Sequence, residues 1–397
     1  MAAVPQSLRG LPRETWVLAV VAFCVALGFG IVAPAIPLFA LQFGVGTTAA
    51  GAVVSAFALM RFASGLAAGR LSDRVGERTA LVGGIAVVAV SSLMAGLAVS
   101  YPQLLVLRGI GGVGSAVFTI ASTSLLLRVA AAAQRGRTQG VYRAGFLIGG
   151  IVGPALGGLV VGVSLRAPFF LYAATLVLAG VAGAVLLPKP APVVAGGSVP
   201  VDAAAEPRTT LGQALGQPAY RAALAGNFAV GFSVLGVRST LVPLLVVQSL
   251  HLPGGWIGAA FLVSALVQTA LLLPAGRAVD TNGRRPTLVL GALATAAALV
   301  LLAAATGPVS LLLAMTVFGV GGSLLGVAPA ALVGDVVEGR GGTPVAVWQM
   351  SSDLGSILGP LAAGLLIDSA SYTVALLVSA AVVGLAGLLG LTLPRSS

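Results

Sequence analysis

The chain has 397 residues, of which 58% are hydrophobic and only 8% charged, and its mean hydropathy is +1.08. Soluble globular proteins carry about 25% charged residues, so this chain lacks the polar surface needed to cover a water-soluble core. The same figures exclude a disordered, collagen-like or disulfide-built chain. The net charge of +11 would suit nucleic acid, but the basic residues are spread through short loops between apolar runs, and no nucleic-acid partner is expected. One Cys (Cys24) and one His (His251) allow no internal disulfide, no Cys/His zinc site and no plausible intramembrane enzyme. The single Lys (Lys189) follows Pro188 and not a glycine loop, so the chain holds no Walker A sequence and no ATP-driven pump of its own. These exclusions leave a polytopic, all-α membrane protein whose obligatory partner is the lipid bilayer.

A helix needs about 20 apolar residues to cross the hydrocarbon core. Twelve runs meet that length. Six lie in the first half: Trp16 to Phe39, Ala49 to Ala68, Thr79 to Val99, Gln103 to Leu127, Gln139 to Val161 and Pro168 to Leu187. Six lie in the second: Ala222 to Val247, Trp256 to Ala275, Thr287 to Ala305, Val309 to Val333, Pro344 to Ile367 and Tyr372 to Leu393. Arg9 and Arg13 before the first run imitate a signal peptide, but the run is longer than an h-region and no polar domain follows, so it reads as a span. Alternate loops are basic, with Arg70, Arg74 and Arg78, then Arg128, Arg135 and Arg137, then Arg277, Arg284 and Arg285, whereas the opposite set holds only Arg166. The positive-inside rule makes the basic set and both termini cytoplasmic. The Pro-, Ala- and Gly-rich stretch from Pro188 to Pro218 reads as a linker. The expected organisation is therefore a bundle over residues 1–187, a cytoplasmic linker over 188–218 and a second bundle over 219–397.

The halves repeat. Ala68-Gly69-Arg70 with Asp73, Gly76 and Arg78 matches Ala275-Gly276-Arg277 with Asp280, Gly283 and Arg285 at an offset of 207. Gly149, Gly153, Pro154 and Gly158 match Gly355, Gly359, Pro360 and Gly364 at an offset of 206, as do Gly30 and Pro37 with Gly236 and Pro243. An even number of spans per half gives parallel repeats, related by a pseudo-twofold axis along the membrane normal, with a substrate site near the midplane between them.

Three segments carry a resemblance. Gly69-Arg70-Leu71-Ser72-Asp73-Arg74-Val75-Gly76-Glu77-Arg78 is similar to the signature loop of the major facilitator superfamily, between its second and third helices. Arg108-Gly109-Ile110-Gly111-Gly112-Val113-Gly114 resembles that family's fourth-helix motif. Gly149-Gly150-Ile151-Val152-Gly153-Pro154-Ala155-Leu156-Gly157-Gly158 resembles its fifth-helix motif, typical of drug/proton antiporters. The resemblance implies twelve helices in two six-helix bundles. It also implies that Asp73 latches onto the start of the eleventh helix, with Arg74 and Arg78 adding cytoplasmic salt bridges and Asp280 and Arg285 doing the same against the fifth helix. Positive-inside topology alone would also place these charges. Gly69 and Gly76 are expected where a side chain would clash. Gly149, Gly153, Gly157 and Gly158, with Pro154, are expected to permit close packing and a bend.

Charges at membrane depth are costly and mark functional candidates. Arg61, Arg108, Arg238 and Asp353 lie inside predicted spans. Each Arg must find an acceptor, water or an anion, so transport contact and an interhelical hydrogen bond both remain open. Asp353 is the only carboxylate well inside a span, and it is either a proton carrier or half of a permanent ion pair. Many antiporters of this kind carry an acid inside the first helix, whereas Glu14 here lies at its very start. The resemblance makes the first, fourth, seventh and tenth spans cavity-lining, with Phe29, Phe118, Phe232 and Phe318 as aromatic surface or core and Asn227 as a polar handle. The expected function is a monomeric secondary transporter of the inner membrane that moves a small amphipathic compound outward against protons, with no cofactor. The alternative is uptake or exchange of an anionic metabolite.

Overall fold

The computed structural model describes residues 11–129, 135–187, 209–337 and 342–393. Among these residues no strand occurs, and twelve helices are long and apolar enough to cross a membrane. They are α1 (Arg13–Leu41), α2 (Thr47–Val75), α3 (Glu77–Gly96), α4 (Tyr101–Leu126), α5 (Arg137–Val161) and α6 (Ala167–Leu186), then α7 (Pro218–Ser249), α8 (Gly255–Thr281), α9 (Arg284–Ala303), α10 (Pro308–Val336), α11 (Thr343–Ser369) and α12 (Tyr372–Gly390). In hydrocarbon each backbone N–H and C=O must be paired within its own segment, and the helix does that. Large apolar side chains such as Leu66 (82% exposed) and Leu273 (74% exposed) stand on the surface of the spans, as a lipid environment allows.

Several boundaries extend beyond the apolar runs. Arg13 and Glu14 are already helical, as are Pro218 to Arg221. The end of the expected linker is ordered as well: Leu211–Gly216 is a short helix closed by a capping box. There the Thr210 hydroxyl accepts from the Gln213 N–H, and the Gln213 side chain accepts from the Thr210 N–H. Residues 188–208 of the linker lie outside the described residues.

Contacts divide the chain into two compact units, Met1–Ala35 with Leu59–Val193, and Ile36–Ala58 with Val194–Ser397. In the first unit α1 packs along α5 and α6, and α3 packs on α4 and α6. In the second, α7 packs along α11, α10 and α12, and α9 packs on α10 and α12. The stretch Ile36–Ala58, from the end of α1 into α2, groups with the second unit and packs on α11.

The first helix of each half is irregular, though not at equivalent positions. In α1 the ladder breaks at Ala33–Pro34, where the proline removes a donor. In α7 the backbone widens into two π-turn stretches, Gly231–Val237 and Leu245–Ser249, which flank the α-helical Arg238–Leu244. The Arg238 N–H reaches back five residues to the Ser233 carbonyl, and the Leu250 N–H to the Leu245 carbonyl. Such widened turns concentrate at functional sites.

Gly231 marks a very tight helix contact. A Cβ there would lie 1.9 Å from the Ser352 carbonyl oxygen of α11. Gly231→Ala is therefore expected to destabilise the protein by about 3 kcal/mol through overpacking. Gly276 is the opposite case, since it is helical and a Cβ would meet nothing within 4 Å. Gly276→Ala is expected to be neutral or to stabilise by about 0.5 kcal/mol. Thermal unfolding of the purified protein in detergent compares the two.

Candidate functional site

The two signature loops turn on one glycine each. Gly76 has φ of +83° and Gly283 φ of +93°, a region closed to most side chains, and each immediately precedes the next helix. Gly69 differs from expectation, and its counterpart Gly276 behaves alike. They sit inside α2 and α8, and a Cβ at either would meet nothing within 4 Å. No clash requires a glycine there in this structure, because the helices run through those positions unbroken. Asp73 and Arg74 are exposed in the last turn of α2. Arg78 donates to the Ala184 carbonyl near the C-terminal end of α6, where the helix macrodipole favours a cation.

The charges around these loops form a pair that residue identity conceals. Arg128, in the helical turn that continues α4 to Val129, bonds Glu77 at the start of α3 at 2.6 Å. In the second unit Arg284 at the start of α9 bonds Asp335 at the end of α10 through two contacts, 2.8 and 3.2 Å. Glu77 and Arg284 are equivalent at the 207-residue offset, and so are Arg128 and Asp335. The repeat thus keeps the ion pair and reverses its polarity. Asp280 lies 3.9 Å from Arg284, so Arg284, the neighbour of the expected Arg285, centres this cluster. Glu77→Arg or Arg128→Glu alone is expected to cost about 1 kcal/mol, and the double exchange to regain most of it, as the other half of the molecule already does in reverse. Chemical or thermal unfolding of the three variants gives the cycle.

The fifth-helix glycines form one packed stripe. A Cβ on Gly149 would lie 2.5 Å from the Phe23 carbonyl, on Gly153 2.5 Å from Leu27, and on Gly157 2.2 Å from Ile31, all on α1. Gly145, four residues before the expected motif, extends the stripe against Ala19. Gly158 is buried beside it, and α5 remains helical through Pro154. The second unit repeats the contact: Gly355 meets Phe228 and Phe232, and Gly359 meets Phe232, all on α7. The matched anchors even touch in the same way. A Cβ on Gly30 would strike Pro154 and Gly153, and one on Gly236 would strike Pro360 and Gly359. Side-chain-free faces let these backbones approach closely in lipid.

The membrane-depth charges fall into three places. In the first unit Arg108 is fully buried on α4, and Arg61 is half-buried on α2. Both act electrostatically on the phenol of Tyr172 on α6, which is itself fully buried and edge-on to Phe29 at 6.3 Å. In the second unit Arg238 is buried on α7 with its guanidinium 5.4 Å from the Phe261 ring and 5.3 Å from the Phe318 ring. A cation facing two ring quadrupoles is stabilised where water is absent. Its Nε has no hydrogen-bond partner among the described residues. The third place is the α7–α11 contact. Here the Asn227 amide donates to the Trp348 carbonyl at 2.6 Å, so the expected polar handle spends a donor on holding two helices together. Half-buried Asp353 lies one residue beyond Ser352, the partner of Gly231.

Phe118, Phe232 and Phe318 are buried, and Phe118 and Phe232 pair with Phe146 and Phe228. Tyr172 and Phe261 escaped the sequence reading because an aromatic inside an apolar run has no distinguishing pattern. Among the described residues no group of three His, Cys, Asp or Glu side chains comes together.

Twelve spans, duplicated loops of one geometry and buried cations within helical units define an integral membrane protein of the duplicated six-helix class. Residues 18–267 and 224–397 match the Major Facilitator Superfamily, and the chain belongs to that family. Membership places it among transporters and not enzymes. Quinolone resistance protein NorA of Staphylococcus aureus strain MRSA252 is 29% identical over 178 residues, 45% of this chain and 46% of that protein. Multidrug resistance protein 2 of Bacillus subtilis strain 168 is 29% identical over 165 residues, 42% of this chain and 41% of that protein. The chain thus spans a little under half the length of each relative. Among solved structures, a bacterial homolog of the human lysosomal transporter Spinster, inward-facing and unoccupied, superposes with a TM-score of 0.75 at 17% identity, covering 96% of this chain and 98% of that one. A mutant of the nucleoside transporter NupG gives 0.71 at 15% identity, covering 95% and 98%. At these identities the likeness is one of fold.

Proposed function

We propose that the protein is a secondary active transporter that exports a small amphipathic organic compound in exchange for protons. The observation that carries this reading is the partial likeness to two bacterial multidrug and quinolone resistance proteins. The buried residues are compatible with it. Aromatic rings suit amphipathic organic molecules, and Asp353 is a carboxylate within a span. The proposed setting is the bacterial inner membrane, with both termini cytoplasmic, and the proposed state is a monomer without a cofactor, driven by the proton gradient.

A second reading is favoured by Arg238, a buried cation whose Nε lacks a partner among the described residues. It would suit an anionic metabolite, since a guanidinium binds carboxylate strongly and in fixed geometry. Flux in proteoliposomes under an imposed pH gradient separates the readings, with cationic dyes and organic anions tested side by side. The first reading expects saturable dye movement driven by the proton gradient. Anion counterflow without dye movement would establish the second, and flux without counterflow would remove both.

A further inference from the structure

The N-terminus of α2 is held by a carboxylate 321 residues away in sequence. The Thr47 N–H and hydroxyl donate to Asp368 Oδ1 at 3.0 and 2.6 Å. The Thr48 N–H and hydroxyl donate to Oδ2 at 2.8 and 2.6 Å. Both oxygens are thus engaged by the first residues of one helix, and the carboxylate sits where that helix's dipole is positive. The contact continues along the antiparallel pair. The Thr47 hydroxyl also reaches the Gly364 carbonyl at 3.1 Å, a Cβ on Gly51 would lie 2.3 Å from the Pro360 carbonyl, and the buried Ser55 hydroxyl donates to the Ile357 carbonyl at 2.6 Å. Every residue named belongs to the second compact unit.

The repeat does not demand this arrangement. At the 206-residue offset Asp368 corresponds to Gly162, and Thr47 and Thr48 correspond to Pro253 and Gly254. The equivalent ends of α5 and α8 therefore have no carboxylate and no hydroxyls with which to build it.

We propose that Asp368 is a latch on the extracytoplasmic end of the α2–α11 pair, and that releasing it is the step that lets this end open during transport. The inference rests on the alternating-access reading and on cytoplasmic termini. A cap of four hydrogen bonds on one carboxylate closes or releases as a unit, which gives the end two discrete states. Asp73 lies in the last turn at the opposite end of α2, well away from this cap.

The test uses the full chain in proteoliposomes, with Cys24→Ala as background and Ser55→Cys as a near-isosteric reporter inside the contact. A membrane-impermeant maleimide is added from outside. Asp368→Ala is expected to raise the labelling rate about tenfold, and Asp368→Asn, which keeps one acceptor oxygen, about threefold. Thr48→Val, which deletes one hydroxyl at nearly constant volume, is expected to raise it about twofold even where the Asp368 variants fail to reach the membrane. Val163→Cys, 88% exposed on the α5–α6 connection, reports orientation and should label equally in all variants. If it labels only from the other side, the orientation has failed and not the latch, and the reporters are then read from that side. Ser122→Cys, fully buried on α4, should stay protected. An unchanged rate at Ser55→Cys, or an equal rise at Ser122→Cys, would overturn the assignment.

Discussion

Arg108→Met is expected to leave a folded protein whose transport rate falls about a hundredfold, equivalent to roughly 2.7 kcal/mol. Arg108 is fully buried within α4, in the electrostatic company of Tyr172. A charge so placed loses its hydration, so an apolar residue of similar volume recovers that cost, whereas a partner left buried without the charge is strongly destabilising. A purely structural arginine would therefore show itself by a fall in unfolding temperature, because its hydrogen-bond acceptors would be left buried and unmet. An arginine kept for transport would show the opposite pattern, with thermal stability held or raised and flux lost. Methionine preserves the length and flexibility of the side chain, so a cavity does not confuse the result. Arg108→Lys should also be poor, by about tenfold, because a compact ammonium cannot reproduce the planar donor fork of a guanidinium. Unfolding temperature and initial flux measured on the same preparations decide the matter, and a variant that loses stability while keeping turnover per folded molecule would remove Arg108 from transport.

The fold was legible because lipid imposes one rule on every span. Length and hydropathy located all twelve helices, and the offset of 206 to 207 residues located the anchors that meet in both units. Gly30 with Gly153 and Gly236 with Gly359 are the clearest case, since small residues are the only means of bringing two backbones so close. Other features left weaker traces. The Glu77–Arg128 pair was concealed because its counterpart, Arg284–Asp335, has the charges exchanged, and a search for identical residues passes over it. Searching for conserved charge product at a fixed offset would have found it. The short helix Leu211–Gly216 was announced by Thr210 and Gln213 in capping-box spacing, within a segment that composition alone marks as linker. The π-turns of α7 had no signal, because apolar residues on every face leave no periodicity from which to read the pitch. Asp368 has no sequence signal of its own, since it sits at a span end where topology explains most charges.

Asp353→Asn is expected to abolish proton-linked flux, by at least about tenfold, while substrate–substrate exchange stays within about twofold of the parent rate. Asparagine keeps the size of the side chain and part of its hydrogen bonding but has no proton to exchange at neutral pH. Its position makes the consequence specific. Ser352, the residue before it, faces Gly231 at the start of the first π-turn of α7, and Gly355, two residues after it, faces Phe228 and Phe232. A change of charge on Asp353 therefore acts on the segment of α11 that is pinned to the irregular part of α7. Reorientation of the loaded carrier underlies exchange, and it needs no net proton movement. Return of the empty carrier is the step that a proton equilibrium biases, since a ligand shifts a two-state balance only through its differential affinity for the two states. Loss of coupling with exchange retained is the signature of a proton site, whereas loss of both would make Asp353 part of the packing between α7 and α11. Substrate-induced proton release, followed with a pH indicator trapped in proteoliposomes, reads the first quantity, and counterflow of labelled substrate reads the second. Undiminished proton release in the Asn variant would place the coupling site elsewhere in the chain.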